Sequence, residues 1–99
     1  MDATAKPRTT ITYYSQCQWL LRAAWMAQEL LSTFGADLGE VALIPGTGGV
    51  FQIAYAGDLL WDRKRDSGFP DAKTLKQRVR DRLDPTRGLG HVDRSRGDA

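Results

Sequence analysis

Tyr14-Ser15-Gln16-Cys17 is the stretch of this chain best placed to do chemistry. It carries the only cysteine, where a run rich in Thr, Ile and Tyr gives way to a run of helical periodicity. Unpaired backbone N–H groups at a helix start favour an anion, and the thiolate is the nucleophilic form of cysteine. Two cysteines in Cys-x-x-Cys spacing at such a junction form a dithiol redox motif. Here Tyr14 stands at the first position, so one sulfur of the pair is missing. The competing role for Cys17 is that of a small buried hydrophobe, because free cysteine is among the most buried residue types.

Other residues gather around this candidate. Ser15 and Gln16 fill the turn, and Trp19 follows close enough to line a pocket beside the thiol. Tyr14 either shields Cys17 or simply ends a strand as a β-favourable aromatic. Trp25 falls with Leu21 on the helix side opposite the core stripe, where an exposed pair one turn apart would suit protein docking. A core or covered position is the alternative for Trp25. Gly46-Thr47-Gly48-Gly49 lacks the spacing of a dinucleotide or phosphate-binding loop and precedes a strand, not a helix. It either lets backbone approach the Cys17 turn or is an ordinary turn. A metal site is not expected, since one cysteine and one histidine, His91, fall short of the ligands zinc requires.

The elements that position these residues follow from patterning. Residues 1–7 read as a loose leader, 8–85 as one domain and 86–99 as a disordered tail with little to bury. Arg8 to Tyr14 reads as a strand, and a helix opens at Ser15 or Gln16 and runs to about Phe34. Its expected core stripe is Trp19, Leu20, Ala23, Ala27, Leu30, Leu31 and Phe34. Leu38 to Ile44 reads as a second strand, Pro45 to Gly49 as a loop and Val50 to Ala56 as a third strand. Gly57-Asp58 turns into a fourth strand, Leu59 to Arg63. Phe69-Pro70-Asp71 opens a second helix with Leu75, Val79 and Leu83 inward, ended by Pro85. Thr10, Thr12 and Gln52 alternate with Ile11, Phe51 and Ile53, which gives the sheet one polar face and places both helices on the other. The predicted fold is α+β, β-α-β-β-β-α, a mixed four-stranded sheet of minimal thioredoxin-like form.

Composition narrows the function classes. The net charge of +2 is locally balanced, so no nucleic-acid partner is expected. The basic run Arg63-Lys64-Arg65 with the cations of the second helix reads as a solvated face that could attract acidic groups. Trp19 to Leu31 is too short and too polar to cross a bilayer, and the first ten residues lack a secretory h-region. A lone cysteine suits a reducing, cytoplasmic setting. The polar sheet face is a surface for weak self-association.

The order of elements, the Cys-x-x-Cys-type turn after the first strand, Gly48-Gly49-Val50-Phe51, and Gly68-Phe69-Pro70 together resemble the selenoprotein W-like (Rdx-type, SelT/SelW/SelH) family. Gln16-Cys17-Gln18-Trp19-Leu20-Leu21-Arg22 looks like the helix start of its bacterial, cysteine-containing branch. The resemblance spans about residues 8–85. It implies a thioredoxin-like fold and a thiol redox role, with no bound cofactor and with glutathione or a partner protein's thiols as co-substrate. In selenoprotein W the motif is Cys-x-x-Sec. Cys17 falls on the second position and Tyr14 on the first, which implies chemistry through one thiol. A non-catalytic interaction module on the same fold is the alternative.

Overall fold

The computed structural model describes residues 6–89. Six elements follow one another: β1 (Arg8–Tyr14), α1 (Trp19–Phe34), β2 (Glu40–Gly46), β3 (Phe51–Tyr55), β4 (Asp58–Asp62) and α2 (Ala72–Leu83). The sheet order is β2-β1-β3-β4. β1 runs parallel to β2 and antiparallel to β3, and β3 and β4 form an antiparallel hairpin. This is the mixed, four-stranded α+β sheet of thioredoxin-like form that the patterning predicts.

Alternation on the two central strands defines the core side. Thr9, Ile11 and Tyr13 of β1 and Phe51, Ile53 and Tyr55 of β3 are buried. Thr10, Thr12, Gln52 and Ala54 on the opposite face are only partly covered. Both helices pack on the buried face and touch each other. Lys76 of α2 is buried and pairs with Glu29 of α1 at 3.0 Å, which ties the two helices at a charged contact. In β4 the register slips: Ile53 faces Trp61 and Ala54 faces Leu59. The extra residue is a β-bulge, and it lets Leu60 and Trp61, neighbours in sequence, both turn inward.

Three expectations are corrected. The core stripe of α1 is Ala23, Met26, Ala27, Leu30 and Phe34, while Leu20 and Leu31 are exposed. A 16-residue helix beside a small sheet needs only a narrow stripe, and Leu20 and Leu31 fall at its flanks. Pro45 and Gly46 belong to β2 and not to a loop. The strand can hold a proline because it is an edge strand. Ser15 N–H bonds Gly46 C=O, so Gly46 and Ile44 direct their backbone groups toward β1. Pro45 therefore directs its nitrogen, which has no hydrogen, to the free edge. Finally, α1 begins at Trp19 and not at Ser15 or Gln16.

α2 begins at Ala72, so Phe69 and Pro70 stand ahead of the helix and not in its first turn, and it ends at Leu83, before Pro85. Asp71 is its N-cap, accepting the Thr74 N–H at 2.7 Å, and that bond holds the carboxyl below the usual aspartate range. Residues 86–89, read from the sequence as the start of the tail, turn back over α1. Arg87 pairs with Asp37 and lies over the Phe34 ring, and Leu89 is buried. The remainder of the expected tail and most of the leader lie outside the described residues.

Candidate functional site

The site forms at the carboxyl end of β1, where the chain turns toward α1. The turn is tight and unusual. Cys17 (φ 59°) and Gln18 (φ 58°) both take the left-handed conformation, which costs an L-residue roughly 1–2 kcal/mol each. Gln18 occupies the N-cap position without any side-chain bond to the helix. Cys17 thus sits just ahead of α1 and is exposed, not folded into its first turn. The first turn of α1 carries no acidic residue, so no carboxylate offsets the positive end of the helix there.

Below the turn lies an aromatic cluster. Trp19 meets Tyr14 edge-on at 5.5 Å, Phe51 at 6.5 Å and Phe69 at 4.9 Å. Phe51 and Phe69 pack at 5.0 Å. Edge-to-face contacts of this kind fix ring orientation as well as contributing burial. Trp19 is therefore held at its inner edge by β3 and by the segment before α2. Phe69 is delivered by the β4–α2 connection, which is cross-braced. Trp61 Nε1–H donates to Gly68 C=O at 2.8 Å. Asp66 accepts Arg65 and the Asp62 N–H. The Arg65 bond and then the Asp62 bond hold the Asp66 carboxyl below the ordinary range.

Two arginines complete the frame. Arg22 stacks on the Phe69 ring at 4.1 Å, and Arg63 lies over Trp19 at 5.2 Å while its Nε donates to Gly49 C=O at 3.1 Å. Cys17, Gln18, Trp19, Leu21, Arg22 and Trp25 together line an open concavity of about 440 Å³.

The structure therefore brings Cys17, Trp19 and Trp25 to one surface. Tyr14 supports Trp19 from the end of the strand, and Ser15 and Gln16 are exposed in the turn without lining the concavity. Gly46, at the end of β2, and the Thr47–Gly49 turn that follows it touch the site one step back. Tyr14 N–H donates to Val50 C=O at 2.8 Å and Ser15 N–H to Gly46 C=O at 3.1 Å. A Cβ on Gly46 would stand 2.7 Å from Val50 Cγ1, and Gly48 and Gly49 have φ near +70°. The loop needs glycine to close against β1. Thr47, at its tip, is exposed. No described peptide bond is cis, that of Pro45 included. Arg22, Phe69 and Arg63 escaped the sequence reading as site residues. The available signal for Arg22 was its place three residues after Trp19, one helical turn on. Among the described residues no group of His, Cys, Asp and Glu could hold a metal ion, and no described helix is long and apolar enough to cross a membrane.

A mixed sheet with both helices on one face, and a cysteine at the turn from the first strand to the first helix, is the arrangement of a thioredoxin-like protein. The profile of the Rdx family matches residues 8–81, and the chain belongs to that selenoprotein W-like family. A solved protein of Bordetella parapertussis is 77% identical, with a TM-score of 0.77 over 79% of this chain and 99% of its own. The selenoprotein W-related protein of Vibrio cholerae is 53% identical, with a TM-score of 0.78 over 80% of this chain and 99% of its own. A search of curated proteins gave no match.

Proposed function

We propose that this protein is a one-thiol redox protein in which Cys17 exchanges with disulfides of glutathione or of a partner polypeptide. The observation that carries the reading is the exposed Cys17, presented by two left-handed residues at the rim of a concavity. In the exchange, the Cys17 thiolate attacks one sulfur of the incoming disulfide. A new S–S bond forms, the old one breaks, and the departing sulfur leaves as a thiolate. An internal dithiol would resolve this adduct, but Tyr14 holds the place of the second sulfur. An external thiol must do so, attacking the adduct and returning Cys17 reduced. Such turnover suits a reducing compartment such as the cytoplasm.

Intact-mass spectrometry after treatment with oxidised glutathione tests this. A single glutathionyl mass step is expected, absent in Cys17→Ser. Insulin reduction in the manner of a dithiol protein is not expected. A second reading, a non-catalytic interaction module, draws support from Tyr14 itself, which removes the resolving sulfur. Failure to form the adduct under conditions that modify an ordinary exposed thiol would exclude the redox reading in favour of the module.

A further inference from the structure

The concavity beside Cys17 offers more than thiol exchange requires. We infer that it selects a partner polypeptide whose oxidised cysteine is flanked by an apolar side chain and a carboxylate; this rests on the thiol reading above. The apolar part of the argument is Leu21 and Trp25. They stand one turn apart, 65% and 47% exposed, on the side of α1 away from the core. Both line the concavity that Cys17 opens into. Burying such a pair against a partner removes apolar surface that the fold itself leaves in water.

The charged part is the distribution of arginine partners. Of the eight arginines among the described residues, six form ion pairs with a carboxylate. The two that do not, among the described residues, are Arg22 and Arg63, and both frame the Trp19–Phe69 ring pair. Arg63 is spent in part on Gly49, whereas Arg22 lies on the Phe69 ring and lines the concavity together with Leu21 and Trp25. A guanidinium held on a ring face keeps its edge donors free for a carboxylate. With no acid in the first turn of α1, the concavity complements a negative group beside an apolar one. Glutathione has carboxylates but little apolar surface to cover an indole and a leucine. A polypeptide supplies both. The covalent step is the exchange given above: Cys17 bonds the partner's sulfur, and the sulfur formerly bonded there leaves as a thiolate.

The test uses short peptides whose single cysteine carries a neutral thiopyridyl disulfide, so that thiopyridone release reads the exchange. The flanks are Leu with Asp, Leu with Asn, and Ser with Asp. The Asp peptide should react roughly fivefold faster than its Asn twin, the effect of about one partly exposed ion pair. That ratio should fall toward one in Arg22→Gln and persist in Arg22→Lys, and the advantage of Leu over Ser should fall in Trp25→Ser. An Asp-to-Asn ratio of one in the native protein, or a ratio undiminished in Arg22→Gln, overturns the inference. So does glutathione disulfide outcompeting the Leu-Asp peptide at equal concentration, since the groove would then belong to the tripeptide. No thiopyridone from any peptide overturns the thiol reading, and this inference with it.

Discussion

Gln18 shows how a single residue sets the site. It takes a left-handed backbone that glycine adopts without penalty, and its side chain gives no cap in return. Gln18→Gly should raise stability by about 1 kcal/mol, read from the urea midpoint, while Cys17 remains in place. A loss of stability would mean that the amide side chain contributes more than its backbone costs. Tyr14 supports the opposite experiment. Tyr14→Cys restores two sulfurs across the turn. Mild oxidation should then remove two hydrogens from the intact mass and protect both thiols from alkylation. A pair that stays reduced would show that this turn, with two left-handed residues, no longer has redox geometry. The location of Cys17 was legible in the sequence, because a change from β-rich to helical periodicity is local information. The left-handed pair was not. Nothing in Gln16-Cys17-Gln18 signals positive φ, since glycine and asparagine are the residues that announce it.

At the scale of elements, the legible parts are those with short-range signals. The start of α2 is one, marked by Phe69-Pro70-Asp71 and by Leu75, Val79 and Leu83 at helical spacing, although Pro70 stands just ahead of the helix. Its cap also gives the fold a dependence on pH. The Asp71 carboxyl titrates below its unfolded value of about 3.9, so its contribution is complete above that pH and is lost as pH falls through the lower folded value. Asp71→Ala should cost about 1 kcal/mol at pH 7. The gap between variant and native protein should narrow when unfolding is measured below about pH 4. A gap unchanged in acid would mean the carboxylate was not the capping group. Elements set by tertiary context were less legible. The bulge that turns both Leu60 and Trp61 inward depends on β3, and no pattern within Asp58–Asp62 announces it. The exposure of Leu20 and Leu31 depends likewise on how narrow a surface the sheet offers to α1.

For the whole molecule, sequence patterning separated the two sheet faces because alternation on the central strands is strict. It could not show Leu89 returning to the core, because one leucine among Gly, Arg and Asp carries no period. Nor could it show that Pro45 lies on an outer strand, since strand order is a long-range property. That proline has a consequence for the protein in a crowded solution. The outer rim of β2 offers the donors of Val41 and Leu43, and at position 45 the series stops. A neighbouring chain that tries to extend the sheet there finds an incomplete template. Pro45→Val would complete it, beside the exposed Leu43 and Ile44. Concentrated solutions of that variant should scatter light and bind thioflavin T within hours, while the native protein stays clear. A variant that stays equally clear would show that the rim is guarded by something other than its missing hydrogen. On this view position 45 is less a break in a strand than a stop signal against fibre growth.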